Sequence, residues 1–392
     1  MTPDALPIPP RFVPLCAPEI RGNEWRYVKE CLDGGWVSSV GDFVVRFEKD
    51  LARCTGARFG IATTSGTAAL HVALLVAGVE PEDEVIVSAL TFIAPANAVR
   101  YVGAWPVFID AEPEYWQMDP QKLCDFLQHG CTWRDGALYN RESGRRVRAV
   151  VPVHILGHPA DMVPILEAAH RYGLVVIEDA TESLGATYRG KEVGHLGDLA
   201  CFSFNGNKVI TTGGGGIILT DREEWATRAR HLTTQAKSDP LEYIHDEVGF
   251  NYRLTNIQAA VGVAQLELLD DYIATKRRIA ARYCEGLTDI RGIELPREAA
   301  WAESIWWLYT IRVREAETGI SSRVLMQVLQ EAGIQSRPLW QPLHLSPVHA
   351  ASPRLPCPIA AQLYREGLSL PSSVGLLPHD QDRVIRVITD AI

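Results

Sequence analysis

Residues 174–208 read LVVIEDATESLGATYRGKEVGHLGDLACFSFNGNK. Two apolar runs in this stretch, 174–177 and 200–204, have strand length and are flanked by Gly, Asp and Asn, so both read as buried strands. The first ends in an acid, Asp179. The second ends in a turn, Asn205-Gly206-Asn207, that presents Lys208. Acid and lysine stand 29 residues apart (208 minus 179), about one crossover between neighbouring parallel strands. Ligands bind such sheets at the carboxyl ends of the strands. The segment therefore predicts an α/β layer whose working edge carries both residues.

The same rhythm extends outward. Upstream, 43–53 reads as a helix with Val44, Val45, Phe47 and Leu51 on one face and Gly56 just past its end. A strand follows at 59–63, then a helix at 67–77 behind the capping pair Thr64-Ser65. Strands at 84–87, 106–109 and 149–153 and a helix at 162–171 complete an α/β pattern with a mostly parallel sheet. Between 125 and 148 the pattern lapses into Gly, Arg, Asn and His, which reads as a surface insertion of hairpin type. Beyond Thr255 the texture changes to a long helix at 256–285, a strand at 306–313, a helix at 321–332 and two more helices near the end. The expected organisation is a large domain over 1–255 and a smaller α+β domain over 256–392.

Composition limits the function. With 392 residues the chain is too long for one compact core. A net charge of -10 argues against nucleic acid or an anionic membrane as a partner reached through bulk electrostatics, but a local anion site stays open. Eight cysteines without a CxxC spacing suit reduced thiols rather than disulfides or a metal site. The proline-rich stretch 1–14 lacks a basic segment followed by an apolar one, and no run reaches the length of a membrane span. A cytoplasmic protein is expected.

Four strand-end positions carry chemistry. Residues 64–70 (TSGTAAL) turn a strand into a helix through Gly66, and free N–H groups at such a corner attract a phosphate; a plain capped helix start explains them equally well. Asp179, at the end of an apolar strand, needs a positive partner, which a pyridinium nitrogen, a salt bridge, a metal or a helix terminus would each supply. Lys208 would form an imine only in a partly desolvated site; most lysines are solvated surface groups. Phe92 in 91–97 (TFIAPAN) is placed to stack on a flat heterocycle or simply to pack in the core. The run 211–216 (TTGGGG) lacks dinucleotide-loop spacing and reads as a tight connection passing near a ligand.

Taken together and in this order, the motifs resemble the DegT/DnrJ/EryC1/StrS sugar aminotransferases. The resemblance runs from 35–41 (GWVSSVG) through 106–110 (PVFID), 153–161 (VHILGHPAD), 178–185 (EDATESLG) and 250–258 (FNYRLTNIQ) to Leu370-Pro371. It implies the fold-type I transferase architecture, with a mostly parallel sheet of seven strands plus a smaller C-terminal domain, and pyridoxal 5'-phosphate as cofactor. It further implies that Lys208 carries the cofactor and shuttles a proton, Asp179 pairs with the pyridine nitrogen and Phe92 stacks on the ring. Gly66, Thr67 and Ser203 would hold the phosphate, with Glu182 near the ring hydroxyl. Asn251 matches a position that reaches the phosphate across a homodimer interface. His344 matches a position near the sugar pocket or is a capped surface histidine, and Arg253 either helps bind substrate phosphate or braces the dimer.

Two departures stand out: Gly214 where many relatives have Glu, and an acidic Glu182 beside Asp179. With Asn205-Gly206-Asn207 and the 125–148 insertion, they resemble relatives in legionaminic acid and bacillosamine pathways. Those relatives aminate C4 of a UDP-linked 4-keto-6-deoxy-N-acetylamino sugar with L-glutamate as donor. A sugar dehydratase or lyase on the same scaffold is the alternative enzyme, though such relatives usually replace the lysine with His. A non-catalytic nucleotide-binding module is the alternative outside enzymes. The tryptophans, Trp306 and Trp307 included, read as core packing.

Overall fold

The computed structural model describes residues 12–392 except Pro240 and Arg354. Most of the proline-rich stretch 1–14 lies outside the described residues. The main sheet is built on seven strands: β1 (Phe59–Thr63), β2 (Glu84–Ser88), β3 (Trp105–Ile109), β4 (Arg146–Val151), β5 (Val175–Asp179), β6 (Leu199–Ser203) and β7 (Gly216–Thr220). Their spatial order is β1-β7-β6-β5-β4-β2-β3. All are parallel except β7, which runs antiparallel to both neighbours.

The strands are nearly continuous apolar runs because both faces of the sheet are covered. Val85, Val87, Ala149, Val151 and Ile177 point into one core; Ile86, Val107, Ile109, Val150 and Val176 point into the other. The helix Gly66–Val76 leaves β1 with Ser65 as its cap, whose side chain accepts the Ala68 N–H at 3.0 Å.

The insertion is a hairpin, as expected. Strands Cys131–Arg134 and Ala137–Asn140 pair with each other and then with β4, extending the sheet to nine strands. Buried Glu84 anchors it by accepting from Asn140 Nδ2 (2.8 Å) and Ser143 Oγ (2.6 Å).

Three expectations need correction. The long helix at 256–285 is two helices, Asn256–Leu266 and Leu269–Leu287, broken at Leu268 (φ -113°, ψ 8°). On both sides of the break the chain packs into the main core, through Ala259, Ala260 and Val263 before it and Leu269 and Tyr272 after it; Ile279, Tyr283 and Leu287 then pack into another. No Gly or Pro marks the break, so periodicity alone runs through it. The strand expected from 306 starts at Tyr309, because Trp306 adopts a left-handed φ of 52°. And β7 was hidden behind the glycine run.

The later part of the chain carries a four-stranded antiparallel sheet, in the order Ile293–Glu294, Tyr309–Val313, Gly367–Leu370, Arg337–Pro338. Tyr283, Ile311, Leu325, Leu368 and Val384 fill its core. The eight cysteines are free thiols. Among the described residues, no helix is long and apolar enough to cross a membrane.

Candidate active site

The carboxyl ends of β1, β5 and β6 converge on one cavity of about 300 Å³. Its floor is a corner of close backbone contacts. A Cβ on Gly66 would lie 2.8 Å from the Ser203 Cβ, and one on Gly216 would lie 2.5 Å from the Ser65 carbonyl. The first turn of the Gly66 helix, Thr67 and Ser203 all line the cavity. This is a cradle for an anion, made of helix N–H groups and hydroxyls.

Asp179, at the end of β5, is buried at 2% exposure. It accepts the Thr181 N–H at 3.2 Å, and burial pushes its carboxyl up despite the opposing charge of Lys208. Glu182, three residues on, is equally buried and accepts the Leu156 N–H at 2.8 Å. Burial pushes its carboxyl up to about 7, the Lys208 charge working against the rise. Two buried acids facing one lysine form a site that asks for more positive charge than the lysine alone supplies.

Lys208 closes the site. Its N–H bonds to the Asn205 carbonyl at 3.0 Å, forming the turn after β6. Its amine lies 3.7 Å from Glu182 Oε1 and 4.0 Å from the Trp307 ring centroid, and the side chain is 13% exposed. Phe92 lines the cavity with its ring 54% exposed, a large aromatic surface that core packing leaves unused.

Gly66, Thr67, Phe92, Asp179, Glu182, Ser203 and Lys208 thus come together as expected. The other three candidates do not line the cavity. Asn251 is exposed and bridges Thr234. His344 is half-buried in the short turn Leu343–Leu345. Arg253 is held within this chain, away from the cavity lining. Its guanidinium donates to buried Glu48, which Arg230 also pairs at 3.0 Å, and to the Ala62 carbonyl.

Sequence reasoning missed Trp307, Trp340, Asn205 and Asn207 as lining residues. The Trp306-Trp307 pair was visible, but only the left-handed turn at Trp306 decides which ring faces the cavity. The Trp307 N–H bonds to the Asn207 carbonyl at 2.7 Å, tying this wall to the lysine turn.

Over residues 18–389 the sequence matches the DegT/DnrJ/EryC1/StrS aminotransferase family. The chain belongs to that family. It is 42% identical to a GDP-perosamine synthase of Caulobacter vibrioides over 97% of this chain and 98% of the relative. It is 37% identical to the GDP-perosamine synthase of Escherichia coli O157:H7, over 93% and 94%. Among solved structures, a DegT/DnrJ/EryC1/StrS aminotransferase from Brucella abortus superposes with a TM-score of 0.85 at 31% identity, covering 94% of this chain and 95% of that one. The protein is therefore a sugar aminotransferase, and its cofactor is pyridoxal phosphate. The residues present fit that group: an anion cradle a single Cβ would fill, a buried acid short of a cation, and a shielded amine meet in one cavity.

Proposed function

We propose that this enzyme moves an amino group from L-glutamate to C4 of a GDP-linked 4-keto-6-deoxy sugar. The convergence of Asp179, Glu182 and Lys208 beside the Gly66 corner carries the reading. When bound, pyridoxal phosphate supplies an electron sink for the carbon that loses a proton. Gly66, Thr67 and Ser203 would hold its phosphate, and Phe92 would pack on its ring. Asp179, raised by burial, gains a cation if it keeps a proton on the pyridine nitrogen. Glu182 faces the ring hydroxyl and, near pH 7, either donates or accepts there. Lys208 would hold the cofactor and would carry a proton at its amine, which lies against the Trp307 ring. A retained lysine favours amino transfer over the dehydratase reading.

The GDP preference rests on the names of the two relatives given above. A UDP-linked N-acetylamino sugar is the second reading, favoured by Asn205-Gly206-Asn207 and the hairpin insertion. The working unit is a homodimer with shared sites. Charge supports this: Lys208 is the one cation among the described lining residues, whereas cofactor, sugar nucleotide and donor are all anionic. Further positive charge has to come from outside this chain's cavity, and Asn251 stands exposed to serve a neighbour. The test is an assay of purified enzyme with L-glutamate against GDP-, UDP- and dTDP-linked 4-keto sugars. The GDP-linked sugar should give the highest kcat/KM; a clear UDP preference selects the second reading, and no turnover with any of them rejects both.

A further inference from the structure

We infer that Trp340, with the Asn205–Asn207 amide pair, forms the subsite that grips the pyranose ring of the amino acceptor. The inference rests on the nucleotide-sugar reading above and assigns its specificity to named side chains.

Two stacked indoles border the cavity. The rings of Trp307 and Trp340 are parallel to within 7°, with centroids 6.4 Å apart. Trp307 is 3% exposed, its N–H is used by the Asn207 carbonyl, and the Lys208 amine sits against its ring. Its surface is already committed. Trp340, stacked on it, is half-buried and lines the same cavity, so part of its ring is left for a ligand.

Distance decides which part of the ligand that face meets. The 4.0 Å from the amine to the Trp307 centroid and the 6.4 Å between centroids place Trp340 within roughly 10 Å of the amine. A sugar whose C4 reacts at the amine has its own ring within that reach. Its nucleobase lies beyond two phosphates and a ribose.

The polar groups at the same cavity suit a sugar too. Asn205 Nδ2 donates to Asn207 Oδ1 at 3.1 Å, which leaves the side-chain Oδ1 of Asn205 and Nδ2 of Asn207 to meet a ligand. One neutral acceptor and one neutral donor suit hydroxyls, which do both. A pyranose offers an apolar C–H face to an aromatic ring and hydroxyls at its rim, the usual division of labour in a pocket. The dicarboxylate donor has no ring face to offer, and its carboxylates pair best with cations.

The test measures binding directly. Calorimetry on the cofactor-loaded enzyme compares the 4-amino sugar nucleotide made by the wild type with the free nucleoside diphosphate, which lacks the pyranose. W340A should weaken the amino sugar nucleotide at least tenfold while changing the free diphosphate less than twofold. W340F should restore most of the loss, and acceptor KM should rise in W340A far more than glutamate KM. W340L, apolar but not aromatic, gives the same comparison if W340A does not fold. Equal weakening of both ligands would make Trp340 a base or phosphate contact and overturn the inference, as would no weakening of either. If the wild type itself binds no nucleotide sugar, the functional reading fails instead, and this subsite with it.

Discussion

The Lys208 amine lies 4.0 Å from the centre of the Trp307 ring. The indole N–H of that ring is bonded to the carbonyl of Asn207, the residue before the lysine. Wall and lysine turn are therefore one unit. It is pinned from behind by Lys276, a fully buried amine that donates to the carbonyl oxygens of Trp307 (2.8 Å) and Ser372.

This arrangement singles out Lys208 as the covalent anchor. Borohydride reduction of the loaded enzyme followed by peptide mapping should place the phosphopyridoxyl group on Lys208. K208A should fold, since the side chain contributes one ion pair at 3.7 Å, yet show no label and no turnover. A label on Lys276 instead would reverse the assignment of the two lysines.

Glu182 gives the cofactor-free protein a pH signature. Its carboxyl rises from 4.5 to about 7 on burial. Between those values the folded chain holds a proton that the unfolded chain releases, so stability falls as pH rises across the window and levels off above it. An amide does not titrate, so E182Q should narrow the gap between urea midpoints at pH 5 and pH 8. Asp179 rises in the same sense and stays in both proteins, so the gap should shrink rather than vanish. Identical gaps would mean that another group titrates.

Gly66 tests the anion cradle without touching a charge. The Cβ of G66A would meet the Ser203 Cβ at 2.8 Å, and Ser203, held in a strand, has little room to yield. Pyridoxal phosphate affinity should drop tenfold or more, about 1.4 kcal/mol, read by fluorescence titration. Unchanged affinity would place the phosphate elsewhere.

Asn251 tests the shared site. K208A and a severely impaired Asn251 variant, mixed under conditions of subunit exchange, should recover activity if the asparagine serves the neighbour. A mixed dimer then collects both defects in one site and leaves the other intact, giving about half the wild-type rate per mixed dimer. Proven mixed dimers without recovery would mean that each subunit uses its own Asn251.

The sequence revealed what local chemistry dictates. Asp179 and Lys208 were legible because each ends an apolar run, and Gly66 because a strand turns into a capped helix there. Trp307 and Trp340 were not, since 33 residues separate them (340 minus 307) and an aromatic facing a cavity has the same local signature as one facing a core. The partner of Arg253 was out of view for a related reason: Glu48 lies 205 residues away in the chain. The helix break at Leu268 has no Gly or Pro to announce it.

The reversed strand β7 also governs when the site comes into being. In the sheet, β1 has β7 as its single strand neighbour, with Phe59 paired to Thr220, 161 positions later (220 minus 59). Until that strand slots between β1 and β6, Gly66 has no Ser203 to face. Closing so long a loop is an intrinsically slow step. A chain emerging from the ribosome accordingly cannot hold its cofactor before residue 220 has been made. In refolding, pyridoxal phosphate would act as a latch on the finished sheet, slowing its unfolding without hastening its assembly.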